Sequence, residues 1–371
     1  MTEVNAAVRD RIAQLSLDLL RIPSVTGNEA EIAKHVRQWA IEQRQLGRDD
    51  IIKHGNALVI GHPDARRPCI ALVGHLDTVP ALPGDSEPTL TGGQIIGHGA
   101  SDMKGALAVM LALVESLDLA TLPLALMLVL YDREEGPYRH NGLQPLLEHY
   151  EPLGAVDLAI CMEPTDNTLQ LGCVGSSHAR VTFKGRAAHS ARPWQGENAI
   201  HKAGPLLCKL LERKPRQVDI GGLIFQEAMS VTAAKGGIAP NTIPPEFEIN
   251  LNHRFAPTLP AEGAIQRAVQ EIKDLVADAG VIEIVDISPP GPVPIENPVL
   301  EHIQAIAKLK VEPKQAWTDV ARLAGFGIDA VNFGPGSSAQ AHQAGEWVAL
   351  DALVQAYEIL AAVLRKPMNE T

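Results

Sequence analysis

Two histidines and a set of acidic residues stand in short motifs whose residue types could do chemistry. His75 and Asp77 lie in Gly74-His-Leu-Asp-Thr-Val-Pro80, Asp102 in Gly99-Ala-Ser-Asp-Met-Lys-Gly105, and Glu134 and Glu135 in Tyr131-Asp-Arg-Glu-Glu-Gly136. Glu163 lies in Met162-Glu-Pro-Thr165 and His342 closes Ala339-Gln-Ala-His342. Carboxylates brought together in one cleft repel and raise each other's pKa unless a cation neutralises them. Histidine and carboxylate donors without thiolates suit zinc in a catalytic setting, or manganese or cobalt. A site of two ions about 3.5 to 4 Å apart is served by about five protein ligands, one of them a bridging carboxylate. His75, Asp102, Glu135, Glu163 and His342 could supply that set. Each motif alone has a bland counterpart: a cap and turn for His75 and Asp77, a solvated face for Glu134-Glu135, a helix cap for Asp102 and a turn for Glu163. Their joint occurrence favours the metal site.

The elements that must position these residues are legible in the apolar pattern. Four motifs follow short apolar runs, Cys69–Val73, Leu124–Leu130, Val156–Met162 and Ile328–Phe333. Runs that are apolar throughout predict strands buried on both faces, and helix-length segments such as Gly105–Leu117 separate them, so a mostly parallel α/β sheet is expected. In such a sheet the strand ends share the edge where ligands bind. Val8, Ile12, Leu15 and Leu19 predict a first helix, and a second is expected to start at Asn28 as its cap with Glu31 reaching back. The stretch 176–287 differs. Phe247, Ile249 and Leu251 alternate with polar neighbours, Val181 and Phe183 do the same, and helices are expected over about 198–213 and 261–279. One-sided strands with two helices predict an inserted α+β domain at 176–287, within a catalytic domain formed by 1–175 and 288–371.

Composition narrows the function classes. With 32 Lys+Arg against 44 Asp+Glu the net charge is −12, which disfavours nucleic acid and anionic membrane surfaces. The longest apolar stretch, Leu119–Tyr131, is shorter than the roughly 18 to 20 residues of a membrane span. The N-terminus, Met-Thr-Glu-Val-Asn-Ala-Ala-Val-Arg-Asp-Arg, has no apolar core of the kind a signal peptide needs, so a cytoplasmic location is expected. Cys69, Cys161, Cys173 and Cys208 are irregularly spaced and read as reduced core thiols.

The motifs GHLDTVP, GASDMKG, YDREEG, MEPT and AQAH, in this order along the whole chain, resemble those of the two-zinc aminoacylase, carboxypeptidase and deacylase superfamily. Within it, Thr318-Asp-Val-Ala-Arg, Asn332-Phe-Gly-Pro-Gly, Asn250-Leu-Asn-His-Arg-Phe-Ala-Pro and Asn141-Gly-Leu are most similar to the actinobacterial-type succinyl-diaminopimelate desuccinylases. The resemblance implies a zinc-peptidase catalytic domain with a two-layer dimerisation or lid domain. It also implies two Zn²⁺ per chain, with Co²⁺ or Mn²⁺ as substitutes: His75 and Glu163 would hold one, Glu135 and His342 the other, and Asp102, whose peptide bond to Met103 is expected to be cis, would bridge them. Asp77 would orient His75, Glu134 would be the general base, and His189 in Gly185-Arg-Ala-Ala-His-Ser-Ala-Arg-Pro would reach across a homodimer to the oxyanion. Asn241, Arg254 and Thr318 resemble substrate-carboxylate contacts. The loop containing Gly336 and Ser337 could present amides to a carboxylate or be only a turn. Hydrolysis of N-succinyl-LL-2,6-diaminopimelate is then the expected activity. A small N-acyl amino acid is the expected substrate class, with acetylornithine deacetylase, metallo-carboxypeptidase or dipeptidase, and a non-catalytic metal- or peptide-binding protein as rivals. Two features depart from many relatives: Arg133 directly precedes the glutamate pair, and no arginine follows the Glu-Pro motif until Arg180.

Overall fold

Strands that are apolar at every position have to be covered on both faces, and the buried sheet meets that demand. In a computed structural model, which describes residues 6–368 apart from Ser86 and Leu259, the chain forms two compact units. The first comprises Met1–Leu171, Pro294–Glu312 and Thr318–Thr371, and the second Gly172–Val293 and Pro313–Trp317. Met1–Asn5, which begin the N-terminal stretch read as lacking a signal peptide, lie outside the described residues.

In the first unit the sheet order is Ile51–His54, Ala57–Ile60, Ala125–Tyr131, Cys69–His75, Leu158–Cys161, Ala330–Asn332, Leu169–Leu171 and Val311–Pro313. The four strands in the middle, from Ala125–Tyr131 to Ala330–Asn332, run parallel, with His75 beside Tyr131, Val73 beside Cys161 and Cys161 beside Asn332. This register brings the four C-terminal ends to one edge, which is why the motifs that follow them converge. The helix Gly105–Ser116 is buried from Gly105 to Val114, as its apolar sequence requires, and belongs to the core that also takes in Ala6–Leu20 and Leu350–Arg365. At Gly74 a Cβ would stand 2.7 Å from Met103 Cε and 2.9 Å from Leu107 Cδ2, so only glycine lets the strand approach the residues around Asp102 so closely. The second helix begins at Ala30, not at the expected Asn28: Asn28 is spent in a turn to the Val25 carbonyl, and Glu29 takes the Gly27 amide at 2.5 Å.

The second unit is a five-stranded antiparallel sheet in the order Arg216–Ile220, Leu223–Gly236, Glu246–Phe255, Gly175–Lys184 and Val281–Ser288. The alternation in the sequence sorts its faces: Val181, Phe183, Ile249 and Leu251 are buried against Ala203 and Leu206 of the helix Ala199–Glu212 and Ile272 and Val276 of Ala261–Val276. This unit opens at Gly172 because Cys173 already pairs with Gly291, a few residues before the expected boundary at 176. Three of the four thiols are buried; Cys208 departs from the expectation and lies exposed on the helix Ala199–Glu212.

His253 is 1% exposed in the second unit, with Glu271 3.8 Å from Nε2. Burial holds its pKa below the ordinary value, against the opposing charges of Glu271 and Glu227. The unfolded chain therefore takes up a proton near pH 6.5 that the folded state resists, and stability falls as pH drops through that value. Thermal unfolding followed from pH 8 to pH 5 is expected to lose less stability in His253→Leu than in the wild type; equal slopes would assign the acid sensitivity elsewhere.

Candidate metal centre

The residues collected at the sheet edge form a tight constellation. His75 is the last residue of its strand and 1% exposed, Glu134 and Glu135 follow the strand ending at Tyr131, Glu163 follows Cys161, and His342 adopts a positive φ of 59° in the loop after Asn332. Asp102 lies in an irregular turn before the helix Gly105–Ser116, and its peptide bond to Met103 is cis. One Asp102 oxygen, Oδ1, is 3.1 Å from His75 Nε2, and the other, Oδ2, is 3.7 Å from His342 Nε2. His342 Nε2 is also 2.8 Å from Glu135 Oε1. Potential ligand atoms of His75, Asp102 and Glu163 lie within 4.8 Å of one another, as do those of Asp102, Glu135 and His342, so Asp102 is common to two sets. A third set joins His75, Glu134 and Glu135.

The electrostatics fit a pair of divalent cations. Burial, then the charge of Glu163, pushes Glu134 well above the ordinary carboxyl range. Burial alone would lower His75, yet its bond to Asp102 and the charges of Asp102, Glu134 and Asp77 lift it well above the ordinary imidazole value. The bond to Glu135 carries His342 up to about 8. With no cation in place, excess negative charge is relieved by retaining protons. Nitrogen and oxygen donors arranged about a shared carboxylate suit zinc, cobalt or manganese.

Asp77 acts differently from the orienting role expected for its carboxylate. His75 Nδ1 bonds to the Asp77 backbone carbonyl at 2.9 Å, and the carboxylate is 3.7 Å from the same nitrogen. That carboxylate instead accepts the amides of Glu134 at 3.0 Å and Glu135 at 3.1 Å, together with the hydroxyl of Thr26 at 2.9 Å. It therefore pins the backbone that presents both glutamates. Thr318 is buried beside Asp319, whose carboxylate takes the Tyr131 hydroxyl and the Asn141 amide, both at 2.7 Å, and Arg322 Nε at 2.8 Å. Arg322 continues to Gln144 and the Tyr138 carbonyl, so the Thr318-Asp-Val-Ala-Arg and Asn141-Gly-Leu motifs are two sides of one buried network.

The loop of Gly336 and Ser337 is a clasp inside the protein. The Ser337 amide goes to Ser101 Oγ at 2.6 Å, its hydroxyl to Asp166 at 3.3 Å, and the Gly334 amide to Thr165 at 3.0 Å. At Gly336 a Cβ would fall 2.1 Å from the Ser101 carbonyl oxygen.

In the second unit, His189 is exposed and its Nδ1 accepts the Ala191 amide at 3.1 Å, so in the neutral ring the proton sits on Nε2, which is left as a donor. Asn241 is its neighbour through the Ser190 amide at 2.9 Å. Arg254 is half-buried and bonds to Asn252 at 3.2 Å; burial lowers its pKa, and among the described residues it forms no ion pair.

Sequence reasoning missed Thr26, Asp319 and Glu346. Glu346 is 2% exposed and accepts the amides of Gly99, Ser101 and Asp102. The only signal for it is an acid four places after His342.

Two measurements test the centre. Asp102→Ala is expected to weaken the binding of both ions and Glu163→Ala mainly that of one, read by metal analysis after dialysis; loss of a single ion in Asp102→Ala would contradict the bridge. Because His342 holds a proton up to about pH 8, zinc uptake at pH 7 should release protons and strengthen as pH rises toward 8. Calorimetry in buffers of different ionisation enthalpy reads that release directly, and buffer-independent heats would refute it.

A family model described as peptidase family M20/M25/M40 matches residues 71–366. A Mycobacterium tuberculosis protein provisionally named succinyl-diaminopimelate desuccinylase DapE is 36% identical over 352 residues, covering 95% of this chain and 97% of its own. A Corynebacterium glutamicum protein named succinyl-diaminopimelate desuccinylase is 33% identical over 360 residues, covering 96% and 95%. Among solved structures, a Staphylococcus aureus tripeptidase has a TM-score of 0.77 at 19% identity, covering 96% and 98% of the two chains. A Bacillus subtilis protein described as a dinuclear metal binding peptidase has a TM-score of 0.68 at 16% identity, covering 97% and 98%. At those identities the structural likeness is one of fold. With a family model matched along most of its length and relatives about one-third identical from end to end, this chain belongs to peptidase family M20/M25/M40.

Proposed function

We propose that this protein is a two-metal amide hydrolase that releases succinate from N-succinyl-LL-2,6-diaminopimelate. The observation that carries the hydrolase reading is the Asp102 carboxylate, which turns one oxygen to His75 and the other to His342, with Glu134 alongside. The succinyl-diaminopimelate substrate is supported by the near full-length identity to the mycobacterial and corynebacterial proteins of that name. His75, Glu163, Asp102, Glu135 and His342 would hold two Zn²⁺, or Co²⁺ or Mn²⁺, whose contribution is to polarise the amide carbonyl and make water more acidic.

Glu134 takes the proton of the attacking water as the new C–O bond forms, and returns it to the nitrogen as the C–N bond breaks, giving succinate and the free amine. Asp77 keeps Glu134 in place through its backbone amide. His189, with its proton on Nε2, donates to the developing oxyanion. Arg254, half-buried without an ion pair among the described residues, suits a substrate carboxylate, and Asn241 and Thr318 are assigned to the same task. The working enzyme is a cytoplasmic homodimer in which each site receives His189 of the partner subunit. Among the described residues no helix is long and apolar enough to cross a membrane.

Hydrolysis of succinyl-diaminopimelate, acetylornithine and simple dipeptides, measured side by side on zinc-loaded protein, is expected to favour the first. A preference for either of the others reassigns the substrate, and no turnover of any would favour a non-catalytic binding protein. Glu134→Gln should retain both metals and lose roughly 10²- to 10⁴-fold in turnover. Glu134→Ala and His189→Ala, each inactive alone, should recover about a quarter of wild-type activity after subunit exchange, since half the dimers are mixed and each mixed dimer has one intact site. No recovery would place His189 in its own chain's site.

A further inference from the structure

The geometry points to Glu346 as a positioning residue that holds Asp102 where its two oxygens face the two histidines. This inference rests on the two-metal reading given above. Glu346 Oε1 accepts the amides of Ser101 at 2.6 Å and Asp102 at 2.8 Å, and Oε2 accepts the amide of Gly99 at 2.9 Å. Its own carbonyl takes the Gly97 amide at 2.9 Å. One residue thus binds four amides of the six-residue segment 97–102, and it forms no ion pair with a cation among the described residues. An ionised acceptor makes stronger bonds to amides than a neutral one, and the side-chain hydrogen bonds of this carboxylate among the described residues all go to the backbone that leads into Asp102.

The attachment at the other end explains its reach. Glu346 is four residues beyond His342, and Trp347–Ala349 directly after it pairs antiparallel with Gln94–Ile96 directly before the segment it holds. The preceding residue, Gly345, has a positive φ of 70° and its amide goes to Asp85 at 3.2 Å, which fixes where the Glu346 side chain departs. Two proposed ligands 240 residues apart, Asp102 and His342, are thereby referred to one anchored carboxylate. If that carboxylate loses its charge or its reach, Asp102 should no longer present both oxygens, and because it is shared, both ions should be affected together.

Glu346→Gln keeps size and shape but places an NH₂ group against backbone amides. Metal-free wild type and variant are titrated with Zn²⁺ against a chromophoric chelator, and thermal unfolding of both metal-free proteins is recorded in parallel. Affinity for both ions is expected to fall about 10- to 100-fold in the variant, the range typical of residues that orient ligands. Glu346→Asp, which keeps the charge but is one methylene short, should show the same joint loss and replaces Glu346→Gln should that variant not fold. Unchanged affinities with a lowered melting temperature would mean a merely structural role and overturn the inference, as would a loss confined to one ion. A wild-type chain that takes up no metal would overturn the two-metal reading and this inference with it.

Discussion

Negative charge crowded at the end of four parallel strands is the constraint around which this protein is built. Asp102, Glu134, Glu135 and Glu163 meet two histidines within a few ångströms, and carboxylates so placed ionise together only beside compensating positive charge. The same crowding lifts His75 and His342 and adds to the burial that raises Glu134. Two divalent cations would meet the same need with their own charge.

Holding such groups together requires anchors that do not add to the crowding, and the chain meets this by a recurring device. Three buried carboxylates outside the ligand set spend themselves on neighbouring loops: Asp77 on the Glu134 and Glu135 amides, Glu346 on the amides before and at Asp102, and Asp319 on Tyr131, Asn141 and Arg322. Burying a carboxylate is costly unless its oxygens are satisfied, and several N–H and O–H donors supply that satisfaction. Each anchor therefore ties its own stability to the correct placement of a loop that carries chemistry. The apolar helix Gly105–Ser116 and the glycine at 74 complete the support by bringing the Asp102 turn against the strand that ends in His75.

The second unit contributes residues of a different character. It carries an exposed histidine whose Nδ1 accepts one backbone amide and a half-buried arginine without an ion pair among the described residues. Its fold follows simple alternation, which turns the apolar residues of the sheet onto the face that its two helices cover.

The amino-acid sequence by itself determined the four parallel strands of the first unit, two strands of the second and five of the helices, because these depend on local periodicity and on side-chain chemistry within a few positions. The helix Ala199–Glu212 lies within one residue of the expected 198–213 at each end. His75, Glu135, Glu163 and His342 could be grouped because a parallel sheet brings strand ends to one side whatever the details of packing, with Asp102 added as the acid before the central helix. Tertiary structure alone decided which atom each residue uses and on what. Nothing local distinguishes the Asp77 carbonyl from its carboxylate as the partner of His75, or commits the amide and hydroxyl of Ser337 to Ser101 and Asp166. Glu346 illustrates the reason: its partners lie about 245 residues away, and a hydrogen bond is selected by ångström-scale approach that only the packed chain defines.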